Sequence, residues 1–534
     1  MRLRTIRTVS FLFVAALPTA LGGCVAVETD PGETGGAAGS GTSGAGSSAG
    51  GASGGAVATG GVATGGVNTG GVSTGGVSTG GVSTGGASGA ATGGAGAGGA
   101  ATGGTGNGGA GNGGAGAVGG ATGGAGAGGG ATGGTGGSST GSGMWGKAEN
   151  PSAGCPVGTL PAPSSLTTAN PKLPDPFKKM DGTRIATKAD WRCRREEILR
   201  QGYEYIWGDK PVVAADAVSG TVSNSMISVR VTGPMGMASF NVTVNMNGAT
   251  APAPAIIGYG GVGGMPVPSG VATLNFSPIE QSGGSGAKMG PFYDAYGSNH
   301  EAGFLTAQAW QVSRLLDLLE KNPGVIDPSH VGVTGCSRYG KGAFVAGMLD
   351  NRIALTIPVE SGLGGTVGLR LVEVIDSYSG SEWPFHGISY VRWMSEVALG
   401  PFTTGNSASA DNTARLPVDM HEMMGLIAPR GLYIVDNPST MYNGLDRNSA
   451  WVTGNVGKMI FEALGVGANM SYQGASGTHC SWRSQYTASL NAMVDKFLKG
   501  NASAMTGNVA TDLPNPPAAS GHIDWSAPTL SGTL

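Results

Sequence analysis

Apolar residues recur along this chain with two periods. "SMISVRVTG" (225–233) and "ASFNVTVNMNG" (238–248) alternate apolar and polar positions around a Gly-bounded turn, which predicts an antiparallel hairpin. "APAPAIIGYGGVGG" (251–264) is an apolar strand running into a glycine cluster. "FLTAQAWQVSRLLDLLEKNPG" (304–324) switches to helical spacing and stops at Pro-Gly. After it, strand-like "HVGVTG", "ALTIPVES", "GLYIVDN" and "MSYQGA" alternate with helix-like stretches after Ser337, in "MHEMMGLIA" and in "GKMIFEALG". A last helix, "SQYTASLNAMVDKFLKG", puts Leu490, Met493, Val494, Phe497 and Leu498 on one face. Strand–helix alternation predicts a mostly parallel sheet covered on both sides. With the antiparallel hairpin first, the order is that of an α/β-hydrolase, a three-layer α/β sandwich.

These patterns occupy only the later part of the 534 residues. The chain opens with basic "MRLRTIR" and the short apolar run "TVSFLFVAALPTALGG", together a signal peptide over 1–23. It ends in "LGGC", which resembles a bacterial lipobox with Cys24 as the lipidated mature N-terminus. Acyl chains there would anchor the protein to a membrane without a spanning helix. From Glu33 to Lys147 no residue is charged, and Gly, Ala, Ser and Thr offer little to bury. Residues 24–146 therefore read as a lipidated N-terminus and a Gly-rich tether, with a coil reach of roughly 60 Å. Residues 147–534 are expected to form one α/β-hydrolase domain, and a monomer. The expected location is exported, anchored in the outer membrane at the cell surface or in the periplasm. The net charge of −3 gives no basis for nucleic-acid binding.

Candidate chemistry centres on "GCSRYGKG" (335–342). Ser337 stands two residues after Gly335, as in the G-x-S-x-G nucleophile elbow, but the second glycine, Gly340, comes one residue late. A nucleophilic serine needs a base and an orienting acid, in this fold in the order Ser, acid, His. Glu360 closes the strand "ALTIPVE". Two readings fit it: the acid, or a carboxylate that caps the next turn or pairs with a basic side chain. His479 lies in "GASGTHCSW", between a strand and the last helix, where the base of such enzymes sits. Arg338 follows the serine, at the position whose backbone N–H helps hold an oxyanion. Lys341 opposes the helix dipole and is either a ligand contact or a solvated cation. "GYGG" (258–261) is either a second part of an oxyanion hole or a plain turn.

Setting Cys24 aside, Cys155, Cys193, Cys336 and Cys480 remain, an even number in an exported chain. Three pairings are possible. Cys155–Cys193 with Cys336–Cys480 staples a local loop and sets Ser337 beside His479, since each of the latter two cysteines adjoins one of that pair. No C-x₂-C spacing suggests a metal site, and neither metal nor cofactor is expected.

From about 155 to 534 the chain resembles the glucuronoyl esterases, α/β-hydrolases that cleave esters of 4-O-methylglucuronic acid joining xylan to lignin. The resemblance runs through "KLPDPFKKMDG", "TKADWRCRREEI", "GPFYDAYG", "GVTGCSRYGKGAFVAGMLDNRIALTIPVESG", "LPVDMHEMMGLIAPRGLYIVDN", "THC" and "IDWSAPTL". It implies Ser337 as nucleophile, Glu360 as acid and His479 as base, with Arg338 at the oxyanion and Lys341 on hydroxyls of the uronate. It implies that Glu382 also holds the sugar, and that Cys336–Cys480 matches a bridge in fungal members. The family's sugar-stacking tryptophan has no counterpart after "IVDN"; Tyr442 substitutes, or Trp451 reaches in. The family's sugar-binding glutamine has no clear match. The rival functions are a xylan acetyl esterase and a non-catalytic, glycan-binding surface lipoprotein.

Overall fold

The structure, a computed structural model, describes residues 149–150, 154–278, 287–371, 393–402, 410–439 and 445–534. All belong to one compact unit, Ala125–Leu534. Strict alternation builds its first strands. In β2 (Met226–Thr232), Ile227, Val229 and Val231 are buried while Met226, Arg230 and Thr232 are exposed. β2 pairs antiparallel with β1 (Val218–Val222) on one side and with β3 (Met237–Asn245) on the other. The predicted hairpin is present, and β1, whose "VSGTV" carries little apolar signal, extends it.

Continuous apolar runs build the rest. β4 (Ala253–Tyr259), β5 (Ala272–Phe276), β6 (Ile326–Cys336), β7 (Leu355–Val359), β8 (Gly431–Asp436), β9 (Met470–Gly474) and β10 (Val509–Thr511) complete the sheet. Among the described residues it has ten strands, ordered β1-β2-β3-β5-β4-β6-β7-β8-β9-β10. β3 meets β5 antiparallel, and every pairing from β5 onward is parallel. β7, β8 and β9 are buried along their whole length, as strands covered on both faces must be.

The covering helices include α1 (Asp190–Gly202), α2 (Phe304–Lys321), α3 (Arg338–Leu349), α4 (Met420–Gly425), α5 (Arg447–Ala463) and α6 (Ser484–Phe497). Alternate strand residues face different helices. Leu355, Ile357, Val359, Tyr433 and Val435 pack with Leu490, Met493, Val494, Phe497 and Leu498, the face predicted for the last helix. Val331, Val333, Leu432 and Ile434 belong instead to the core that holds Trp310, Leu315, Phe344 and Leu349 of α2 and α3. The result is the three-layer α/β-hydrolase fold. Each large apolar side chain sealed in this way contributes about 1.5–3 kcal/mol.

Two charges of "TKADWRCRREEI", Arg194 and Arg195, are buried, while Arg192 is exposed. On α1, Arg194 pairs with Glu197 and with buried Glu422, and Arg195 donates to Asn351 and to the Leu426 carbonyl. A bridge from Cys193 to Cys155 ties the preceding segment to this helix. No described helix is long and apolar enough to cross a membrane.

Candidate active site

Four neighbouring parallel strands end on the same side of the sheet, and each delivers a polar residue there. Ser337 follows β6, Glu360 follows β7, Asn437 follows β8, and the loop carrying His479 follows β9. The carboxyl edge of a parallel sheet is where α/β folds bind ligands.

Ser337 has φ 58° and ψ −125°, a strained conformation that lifts its side chain off the strand-to-helix turn. Its N–H donates to the Val359 carbonyl of β7 at 2.9 Å, which pins the turn to the next strand. Gly340 explains the late glycine. A Cβ on it would lie 2.5 Å from the Val359 oxygen and 3.1 Å from the Gly335 oxygen. The close approach between α3 and β7 occurs at position 340, so the glycine is required there. Position 339 is free to carry a tyrosine.

Glu360 has a fully buried side chain and a φ of 45°. One oxygen, Oε2, lies 2.5 Å from His479 Nδ1 and accepts the Cys480 N–H at 3.0 Å. The other, Oε1, accepts from the Arg483 guanidinium at 2.6 Å. Burial pushes its pKa up, but the hydrogen bonds from His479, Arg483 and the Cys480 N–H prevail and hold it below the ordinary carboxylate value. The geometry is compatible with both sequence readings of this residue: it hydrogen-bonds a histidine and it pairs with a basic side chain. With Nδ1–H donating to an ionised carboxylate, Nε2 of His479 is left as the basic nitrogen. The His479 side chain is 30% exposed, open to a substrate.

Cys336 and Cys480 form the second disulfide. A His479 ring nitrogen and the two sulfurs lie within 4.8 Å of one another, which brings the imidazole to the residue next to Ser337. Both thiols are consumed by the bridge, so this trio is not a thiolate ligand set. The glycine-rich loop after β4 packs on the same turn. Gly263, at φ +59°, approaches so closely that a Cβ would meet the Cys336 Cβ at 2.9 Å.

The remaining expected residues are placed as follows. Arg338 is exposed at the start of α3. Lys341 is 5% exposed and donates to the Ser361 carbonyl at 2.7 Å, which rules out a solvated cation. Glu382, Tyr442 and Cys24 lie outside the described residues. Trp451, on α5, is half-buried with its ring edge-on to Tyr472 at 5.5 Å. Two residues at the site escaped the sequence reading. Asn437 donates to Glu360 Oε2 at 3.4 Å and to the Gly477 carbonyl at 2.9 Å. Its position directly after a buried strand was the available signal. Arg483 had none, because it reaches Glu360 only through the fold of its loop.

A family model described as "Glucuronyl esterase, fungi" matches residues 228–465. A 4-O-methyl-glucuronoyl methylesterase from Schizophyllum commune is 38% identical over 384 residues, spanning 68% of this chain and 92% of the relative. The solved glucuronoyl esterase catalytic domain from Hypocrea jecorina aligns with TM-score 0.62 and 34% identity over 70% of this chain and 99% of its own. A glucuronoyl esterase from Sporotrichum thermophile, solved as a serine-to-alanine variant in complex with methyl 4-O-methyl-beta-D-glucopyranuronate, gives TM-score 0.61 and 35% identity over 68% and 97%. Two thirds of the chain thus match known members by sequence and by fold, and the protein belongs to the glucuronoyl esterase family of carboxylic ester hydrolases.

Proposed function

We propose that this esterase uses Ser337, His479 and Glu360 to hydrolyse esters of 4-O-methylglucuronic acid on xylan with lignin alcohols. The observation that carries the reading is the buried Glu360 carboxylate 2.5 Å from His479 Nδ1, with His479 held beside the Ser337 turn by the Cys336–Cys480 bridge. Ser337 Oγ attacks the C6 ester carbonyl as His479 Nε2 takes its proton. Glu360 fixes the tautomer and stabilises the imidazolium. Negative charge on the carbonyl oxygen meets the Arg338 N–H and guanidinium and the loop after β4. The alcohol leaves with the proton from His479, and water releases the acid from the acyl-enzyme. Lys341, Glu382 and Tyr442 recognise the sugar. The ligand in the Sporotrichum thermophile structure supports the substrate class.

Turnover of a benzyl glucuronate ester, measured beside release of acetate from acetylated xylan, tests this reading. The uronate ester should be strongly preferred. Equal turnover of both would leave a serine esterase of other acyl specificity, and glycan binding without turnover would point to a non-catalytic surface protein. We also read the chain as exported, with 1–23 removed, Cys24 lipidated and 24–146 a tether. Cys24→Ala should then give a soluble form of unchanged kcat, and protease should release an active fragment beginning near residue 147.

A further inference from the structure

The Glu360 carboxylate has two partners of opposite behaviour. On Oε2 sits His479, whose charge alternates between neutral and cationic in any triad cycle. On Oε1 sits Arg483, whose charge is permanent. The Arg483 side chain is only 10% exposed. Its NH1 also donates to the Ser481 carbonyl at 2.8 Å, and its NH2 to the Thr478 carbonyl at 3.0 Å. The guanidinium therefore laces the loop on both sides of His479 to the acid. It lies close against Gly477, where a Cβ would come within 2.5 Å of Nε and 2.8 Å of NH2.

We propose that Arg483 is a positioning residue for the triad: it keeps Glu360 ionised while His479 is neutral, and it fixes the loop that aims His479. This rests on the triad reading above. A fully buried carboxylate facing only a neutral imidazole is driven toward its protonated form. Protonated, it no longer stabilises the imidazolium. The titratable and charged groups set around Glu360 are His479 and Arg483 on the loop, Tyr486 on α6, Asp436 at the end of β8 and Lys341 on α3. Tyr486 is spent on the Asp436 and Ala475 backbone, Asp436 bonds Tyr472 and the Asn437 N–H, and Lys341 Nζ bonds the Ser361 carbonyl. Arg483 is a permanent cation 2.6 Å from a carboxylate oxygen of Glu360. A cation there also opposes uptake of a proton by the Glu360–His479 pair, so its removal moves the acid limb of the pH–rate profile upward.

The test is kcat/KM against pH for a benzyl glucuronate ester. Beside it, the rate of Ser337 capture by a fluorophosphonate is measured against pH, since capture needs the triad but no uronate specificity. Arg483→Gln should raise the acid limb by about one pH unit in both assays, an about tenfold loss below the limb and a smaller one above it. Arg483→Lys keeps the charge but cannot span the carboxylate and two carbonyls, so the limb should stay while the plateau falls. Gly477→Ala, which displaces the guanidinium without removing it, should shift the limb as Arg483→Gln does. An unmoved limb in Arg483→Gln, with or without a uniform loss of rate, overturns the proposal. Should Arg483→Gln not fold, the other two variants decide: a limb moved in Arg483→Lys, or unmoved in Gly477→Ala, overturns it. Wild type that captures the fluorophosphonate but ignores the glucuronate ester would count against the substrate reading alone, and the limb comparison would still stand on the capture rates.

Discussion

Cys336 and Cys480 lie 144 residues apart in sequence, yet their Cα atoms are 5.7 Å apart and their sulfurs are joined. One immediately precedes Ser337 and the other immediately follows His479. The segments that carry the proposed nucleophile and base are thus joined covalently beside those two residues. Ser337, Glu360 and Cys480 all hold positive φ without being glycine. Backbone strain persists where surrounding structure over-determines it. Here the bridge, the Ser337 N–H on β7 and the hydrogen bonds of Glu360 supply that determination.

The two disulfides should separate in their effects. Closing a loop of 144 residues stabilises by up to about 5 kcal/mol in the chain-entropy picture, and one of 38 residues by up to about 4. Replacing Cys336 and Cys480 by serine should lower both unfolding free energy in denaturant and kcat. Replacing Cys155 and Cys193 should lower stability and leave kcat unchanged. Equal kcat losses in the two double variants would mean that the Cys336–Cys480 bridge acts only on stability.

The triad members should fail as a unit. Ser337→Ala and His479→Ala should each lower kcat by about 10⁴–10⁶. Glu360→Gln should cost less, because the residue orients rather than reacts, and its amide retains an acceptor oxygen for His479. Steady-state rates on the uronate ester, with circular dichroism to confirm folding, decide this. A Ser337→Ala variant within tenfold of wild type would remove Ser337 from the chemistry.

The parallel half of the fold was legible because fully buried strands must be apolar throughout. "HVGVTG", "ALTIPVES" and "MSYQGA" announce themselves, and their ends placed Ser337, Glu360 and the His479 loop at one edge of the sheet. β1 and β5 were not legible. "VSGTV" and "ATLNF" are short and gain their burial from neighbours that sequence does not name. The same holds within the site. Glu360 could be placed at a strand end and matched with His479 through the family resemblance, but its second partner, Arg483, could not be placed at all. Lys341, at a helix start that its charge opposes, read equally as a ligand contact or a solvated cation, and its burial and bond to the Ser361 carbonyl exclude the second.

Lys341 offers the clearest separation of recognition from chemistry. Its ammonium is held by the Ser361 carbonyl next to Glu360, on the helix that starts after Ser337. A hydrogen bond from a charged group is worth about 1.5–3 kcal/mol, so Lys341→Met should lower kcat/KM on a glucuronate ester by about ten- to a hundredfold, mainly through KM. A simple acetate ester, which has no ring hydroxyl to read, should be slow in wild type and nearly indifferent to the substitution. Equal losses on both substrates would assign Lys341 to the architecture of the turn.

His421 should make stability pH-dependent at a distance from the site. Its ring is fully buried on α4, stacked near Trp525, with Nε2 2.9 Å from the Pro174 carbonyl. Nε2 therefore carries the proton of the neutral ring, and among the described residues buried Nδ1 has no hydrogen-bond partner. Burial pushes its pKa down to about 4, against the upward pull of Asp419 and the Pro174 carbonyl, with smaller repulsion from Arg370 and Arg194. An unfolded chain protonates this imidazole near pH 6.5, whereas the folded protein resists until about 4. Between those values the unfolded state binds more protons, so this contribution to stability falls as pH drops from 6.5 toward 4, by about 3 kcal/mol in all. Glu422 next to it acts in the opposite sense. Burial raises its pKa to about 7 against the pull of Arg194, so the folded state holds the extra proton and stability falls as pH rises from 4.5 to 7. A wild-type curve alone would blend the two. His421→Gln keeps an N–H for the Pro174 carbonyl and cannot titrate, while Glu422 is common to both proteins and cancels in the difference. The stability advantage of wild type over His421→Gln should be largest above pH 6.5 and shrink steadily to pH 4 in urea titrations. A gap that stays constant across that range would show that the ring accepts a proton in the folded state as readily as in the unfolded one.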